Sequence, residues 1–332
     1  MADSTPEAAP SPGMSEGSPP PSPTGAQFAI QHADHVVRLT EVGAALRTYT
    51  VAGRPVVDGF EADQPITGGR GQTLIPWPNR IRGGAYTWKG SAQQLDLSEP
   101  EKRNAIHGLT RWANWKVLEH RAARIRLGHV LHACPGWPFV LGCELEYSVD
   151  AAGLTVRTRV TNLGREACPY GGGAHPYLTL GTRTVDEVSL QVPAGLFLPV
   201  DEQGIPTGGR PVDGTPWDFR APRRIGSQPL DVTYTAIERD TDGRARVWLQ
   251  AEDGARLSLW LGQGYEYLQL YSGDTLPEVD QRRRGLAVEP MTCPPDAFNS
   301  GIGLQVLEPG ATHTALWGIS PGFGASHDGL VE

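Results

Sequence analysis

Hydrophobic and polar residues take turns along much of this chain. The clearest run is Leu154-Thr155-Val156-Arg157-Thr158-Arg159-Val160, where the alternation is that of a half-buried strand. Cys143-Glu144-Leu145-Glu146-Tyr147-Ser148-Val149 and Arg124-Ile125-Arg126-Leu127 repeat it. So do His35-Val36-Val37-Arg38-Leu39 near the start, and Arg246–Leu249, Leu257–Leu261 and Tyr267–Tyr271 later on. Glu41 through Val51 reads as a continuation of the early strands. Asp58-Gly59, Gly68-Gly69, Gly83-Gly84 and Lys89-Gly90 punctuate the pattern as turns. No stretch sustains helical spacing, and the 41 glycines and 29 prolines are spread too evenly for long helices. The pattern predicts an all-β fold, a large antiparallel β-sandwich. A repeat of fixed period, the mark of a propeller, is missing.

The alternation begins only near Ala26. Residues 1–25 are Pro, Ser, Gly, Ala and Glu, with Pro19-Pro20-Pro21 among them, and cannot bury enough apolar surface to offset backbone ordering. They are expected to form a disordered tail, ahead of one folded domain over 26–332. The start lacks the basic residues and apolar run of a signal peptide, so the cytoplasm is the expected location. A net charge of -8 offers no basic face to nucleic acid or anionic lipid, and no apolar run is long enough to span a bilayer. Nucleic acid and membrane are therefore not expected partners, and the chain is expected as a monomer or homodimer. The cysteines, Cys134, Cys143, Cys168 and Cys293, form no C-x-x-C pair and are expected to be reduced. Cys134 and Cys143 bracket a turn and could approach each other.

Chemistry concentrates in a few segments. His107 lies in Asn104-Ala105-Ile106-His107-Gly108-Leu109, between sheet-like stretches. Alone it reads as a loop histidine bonded to the backbone. A second histidine, His175, follows Gly171-Gly172-Gly173, which permits close backbone approach, and precedes Pro176, which holds it extended. Imidazoles exchange protons near neutral pH. In Ile75-Pro76-Trp77-Pro78-Asn79-Arg80 two prolines stiffen the chain before Arg80, whose fork of donors suits hydroxyls or an anion. Asp231 reads either as a turn carboxylate or as a sugar ligand. Glu289 ends the apolar run Leu286-Ala287-Val288 before Pro290, where desolvation would raise its pKa and sharpen it as a base. His129, His132 and Cys134 lack an evident further ligand, so no metal and no cofactor is expected. Trp77, Trp112 and Trp115 are either core or platforms for the apolar faces of a sugar.

Taken together, Pro78-Asn79-Arg80-Ile81, Ile106-His107-Gly108, His175-Pro176-Tyr177, Gly285-Leu286-Ala287-Val288-Glu289-Pro290 and Pro295-Asp296-Ala297-Phe298-Asn299 make the chain resemble the aldose 1-epimerases, also called galactose mutarotases, from about Ala26 to Pro321. The resemblance implies a β-sandwich with a cleft open to a free sugar such as glucose or galactose. It implies that Glu289 is the general base, that His175 is the general acid, and that His107, Arg80, Asn79 and Asp231 hold the sugar and support developing charge. The rate is then expected to fall below the pKa of Glu289 and above that of His175. Val232 and Tyr234 depart from the family, which often has His and Phe near this Asp. Leu109 departs where many members have a second glycine. The Pro-Trp-Pro-Asn-Arg form points to a bacterial subgroup. Other readings are a mutarotase for a phosphorylated or sulfonated hexose, with Arg70, Arg80 and Arg82 as its cations, a non-catalytic carbohydrate-binding module, and a glycoside hydrolase using Asp231 and Glu289.

Overall fold

The computed structural model describes residues 21–323 and is built almost wholly of strands. The one α-helix among the described residues is the short turn Ala297–Ser300. Two antiparallel sheets form the body. The nine-stranded sheet runs, in spatial order, Lys116–Arg121, Arg124–Leu131, Leu141–Asp150, Gly153–Asn162, Thr312–Gly322, Arg256–Leu261, Ala245–Gln250, Ser189–Gln191 and Arg223–Arg224. The eight-stranded sheet runs Arg210–Pro211, Ala194–Leu198, Asp231–Ile237, Tyr267–Tyr271, Leu286–Met291, Gly173–Ala174 and Thr73–Leu74, with Tyr177–Leu178 also paired to Leu286–Met291. A four-stranded sheet, Gln27–His32 to Arg54–Pro55, flanks them. This is the expected antiparallel β-sandwich.

The alternation in the sequence is the alternation of faces. Along Leu141–Asp150 every second residue is buried, with Leu141, Leu145 and Tyr147 turned into the core. Trp115 and Trp137 are also fully buried there. The early strand is shorter than its pattern suggested. Glu41 through Ala45 form a turn, because Gly43 and Ala44 take left-handed backbone angles, and pairing resumes only at Leu46–Val51.

Most of the expected tail, residues 1–20, lies outside the described residues. Its last part is docked on the body. Thr24 is buried, the Ser22 hydroxyl donates to the Ala62 carbonyl, and the Val42 amide donates to the Thr24 carbonyl. All four cysteines are free, with Cys134 exposed and the others buried. Among the described residues no helix is long and apolar enough to cross a membrane.

Candidate active site

One face of the eight-stranded sheet carries the polar residues, and period-two geometry explains which ones. On Tyr267–Tyr271, Leu268 and Leu270 enter the core, so Gln269 and Tyr271 face the other way. On Leu286–Met291, Leu286 and Val288 enter the core, so Glu289 faces the same side as Gln269, its cross-strand neighbour. On Asp231–Ile237, Val232 and Tyr234 are core residues, which leaves Asp231 and Thr233 on the polar face. Two of the departures from the family pattern, Val232 and Tyr234, thus fall on core positions. Gln269 links the set. Its amide donates to Asp231 Oδ1 at 2.7 Å, and its carbonyl oxygen accepts from the Thr233 hydroxyl.

Two arms bring the remaining residues over this face. Arg80–Arg82 pairs with Asn104–Ile106. Where these strands end, Asn79 and His107 both adopt left-handed angles, with φ of 54° and 65°. They clasp each other: the His107 amide donates to the Asn79 carbonyl at 2.9 Å, and the Asn79 amide donates to His107 Nδ1 at 3.2 Å. Gly108 must be glycine, since a Cβ there would lie 2.1 Å from the Ile75 carbonyl oxygen. Gly171 is required in the same way before His175, because its Cβ would meet the Cys293 sulfur at 2.5 Å. The Pro-Asp-Ala-Phe-Asn motif is the scaffold beneath. Asp296 Oδ1 accepts from the Arg82 amide at 2.9 Å, its own amide donates to the Arg80 carbonyl, and Phe298 packs edge-on against Trp77.

The residues converge on a cleft of about 730 Å³ whose lining includes Asn79, Arg80, His107, His175, Asp231 and Glu289. At its floor His175 Nε2 lies 3.3 Å from Glu289 Oε1, with side-chain exposures of 5% and 2%. His175 stacks on Tyr177 and meets the His107 ring edge-on at 5.2 Å. His175 Nδ1 and Glu289 Oε2 are buried without any hydrogen-bond partner. Arg80 is held by a two-pronged pair with Glu99, at 2.7 and 2.8 Å.

The charges follow from these surroundings. Burial, reinforced by Asp231, drives the Glu289 carboxyl well above the usual range, with Arg80 opposing. Burial pushes His175 down to about 3, and the cations Arg111 and Arg70 add to the effect. His107 is also lowered well below its ordinary value, by burial of its ring and then by His175, Arg111 and Arg80. The proton of the floor pair therefore rests on Glu289, with both imidazoles uncharged.

Several expectations need revision. Trp77 and Trp115 are core residues, and Trp112, though 59% exposed, does not line the cleft. Of the arginines expected to receive an anion, Arg70 is buried and paired with Asp58, Arg80 is paired with Glu99, and Arg82 is paired with Asp201 outside the cleft lining. Gln269 and Arg111, which the sequence did not single out, do line it. His129 and His132 line a different hollow, where His129 bonds the Asn114 carbonyl. Among the described residues the donors close enough to share a metal ion are those of His107, His175 and Glu289, all within 4.8 Å of one another. No ion was expected from the sequence, and a two-histidine, one-carboxylate set of this kind could bind one.

A β-sandwich with an imidazole–carboxylate pair at the floor of an open cleft lined by amide, carboxylate and guanidinium groups has donors and acceptors suited to a polyhydroxylated ligand. Residues 27–320 match the family model for aldose 1-epimerase, and the chain belongs to that family. It is 36% identical over 297 residues to the protein YihR of Escherichia coli K12, covering 89% of this chain and 93% of that one. It is 26% identical to the aldose 1-epimerase of the same organism, covering 91% and 98%. Among solved structures, the GalM/aldose epimerase homologue of C. elegans superposes with a TM-score of 0.79 at 21% identity, over 90% of this chain and 99% of that one. Galactose 1-epimerase from Lactobacillus acidophilus does so with a TM-score of 0.75 at 21% identity, over 90% and 94%.

Proposed function

We propose that this protein is a mutarotase, interconverting the α and β anomers of a free aldohexose by acid–base ring opening. The observation that carries the reading is the buried contact between His175 Nε2 and Glu289 Oε1 at the floor of the cleft. For opening, the single proton of the pair first shifts from Glu289 to His175 across their contact. Glu289, then a carboxylate, takes the proton of the anomeric hydroxyl, while His175, then an imidazolium, gives its proton to the ring oxygen. The C1–O bond of the ring breaks and the aldehyde forms. Rotation about C1–C2 and closure from the other face give the other anomer. Opening leaves the proton on Glu289 and His175 neutral, which is the resting arrangement of the pair, and closure reverses both transfers.

His107 supports this chemistry as a donor. Its Nδ1 accepts the Asn79 amide, so its proton sits on Nε2. Asp231, steadied by Gln269, is placed to accept sugar hydroxyls at the rim. Arg80 is tied to Glu99, so its contribution is chiefly the field that opposes the rise of the Glu289 pKa. Each proton-transfer partner would supply about 10²–10⁴-fold.

The test is polarimetry on freshly dissolved α-glucose and α-galactose. Faster decay of optical rotation than in buffer is expected for at least one of them. A decay no faster than buffer for either sugar would leave a binding module. Release of reducing sugar from a glycoside would instead mark a hydrolase.

A further inference from the structure

His175, the acid of the floor pair, is aimed without a hydrogen bond. A catalytic imidazole is ordinarily oriented by a partner on the nitrogen that does not react. Here Nε2 meets Glu289 Oε1 at 3.3 Å, and Nδ1 is buried with no hydrogen-bond partner among the described residues. The ring's other neighbours touch its face and its edges. Tyr177 stacks on it, with centroids 5.2 Å apart and planes 18° from parallel. The His107 ring meets it edge-on, and the Gly69 backbone closes on Cδ2, where a Cβ would lie 3.0 Å away.

Tyr177 is fixed more firmly than the ring it carries. Its hydroxyl donates to the Gly68 carbonyl at 3.0 Å, and its carbonyl accepts from the Asp58 amide at 2.8 Å. The Arg70 guanidinium lies over its ring, 4.7 Å from the centroid, and Arg70 is in turn paired with Asp58 at 3.3 Å. Leu276 and Ala287 share a small buried apolar cluster with it, and Ala287 is also its partner across the strands. Tyr177 is 1% exposed and is not part of the cleft lining. It has no surface to offer a sugar, so whatever it contributes to turnover passes through His175.

We propose that Tyr177 is a positioning residue whose ring face, held by Arg70 and Gly68, takes the place of the missing hydrogen bond and aims His175 Nε2 at Glu289. For its effect on turnover the proposal rests on the mutarotase reading. With Nδ1 unbonded, the imidazole turns more freely about its Cβ–Cγ bond once the aromatic face is gone. A displacement of about 1 Å at the reacting atoms costs about 10²-fold in rate.

The experiment is anomer-exchange NMR on the full chain with glucose or galactose, whichever is turned over. It compares Tyr177→Leu with Tyr177→Phe, both checked for folding by thermal melting. Leu removes the aromatic face and should lower kcat by about 10–10²-fold with KM nearly unchanged. Phe keeps the face and should restore most of the rate. In a His175→Asn background Tyr177→Leu should cost little more, since no imidazole is left to aim. A Leu variant with normal kcat, a Phe variant as slow as Leu, or the same loss in the His175→Asn background would overturn the proposal. Tyr177→Met takes the place of Leu if the Leu variant does not fold. If no sugar is turned over by the wild type, the mutarotase reading falls by itself, and the aiming is read from NMR of histidine-labelled protein. The carbon-bound ring protons of His175, shielded by the Tyr177 face, should shift in the Leu variant and stay in the Phe variant. No shift in the Leu variant overturns the proposal.

Discussion

Two hollows of similar size lie one on each main sheet. The hollow on the nine-stranded sheet is about 830 Å³, and the cleft on the eight-stranded sheet about 730 Å³. In the first, carboxylates and guanidinium groups pair across the strands. Glu146 stands opposite Arg157 in register and bonds it at 3.1 Å, and Arg126 reaches both Glu144 and Glu119. Its strands are long and regular. In the cleft the strands are short, Asn79 and His107 have left-handed backbones, and the floor holds unbonded polar atoms on His175 and Glu289. Volume alone does not distinguish the two. Both hollows hold an unbonded buried polar atom, Arg126 Nε in the first; the difference is that in the cleft such atoms sit on a proton-exchanging His175–Glu289 pair whose side chains are 5% and 2% exposed.

The comparison is broken most directly at the floor pair. Glu289→Gln and His175→Asn should each lower kcat by about 10²–10⁴-fold with a smaller effect on KM, and the double variant should lose clearly less than the product of the two. Near-normal turnover in Glu289→Gln would sink the assignment. His107→Ala should raise KM and lower kcat together while leaving the fold intact. An unchanged kcat/KM would make His107 purely a loop residue.

The pH dependence sharpens the contrast and reverses the limbs expected from the sequence. His175 is lowered to about 3 and Glu289 is raised, so the pair carries its single proton between those two values. Turnover should fall on the acid side as His175 gains a second proton for the pair, and on the alkaline side as Glu289 loses the only one. Stability follows with its own sign. The folded state holds the Glu289 proton more tightly than the unfolded chain does. That contribution is fully present below the unfolded value of 4.5 and is lost as pH rises through the folded pKa. Glu289→Gln should therefore melt higher than wild type at alkaline pH, with the gap closing in acid. A gap independent of pH would show that Glu289 is not held protonated by the fold.

The smallest effect belongs to the other hollow. Glu146→Gln and Arg157→Gln break exposed, cross-strand pairs and should change stability by about 0–1 kcal/mol, with turnover unchanged. A large loss of activity there would remove the distinction between the two hollows.

The two regions were unequally legible in the sequence. Strands such as Leu141–Asp150 sit between core and solvent, so period-two alternation displays them directly. The turn at Glu41–Ala45 is set by left-handed angles at Gly43 and Ala44, which alternation does not record. In the cleft, motif residues could be recognised and Glu289 stood out beside its apolar run. Gln269 could not, because a glutamine between two leucines looks like any outward-facing strand residue, and its importance comes from neighbours distant in sequence. Arg111 reads as an ordinary surface arginine next to an exposed tryptophan until His107 and His175 are seen beside it. The tryptophans, which the sequence left open between core and sugar platform, resolve to neither cleft wall: Trp77 and Trp115 are core and Trp112 is exposed away from the cleft.

The clasp between Asn79 and His107 has a spectroscopic consequence. A backbone amide can only donate, so the His107 ring is pinned in one tautomer, with its hydrogen on Nε2 and directed away from the clasp. In a site that keeps the ring uncharged, that hydrogen should give its own imino-proton resonance, coupled to a single ring nitrogen in ¹⁵N-histidine-labelled protein. The protein thus carries a native reporter inside the cleft, one that would register occupancy by any sugar, turned over or not, without an attached dye.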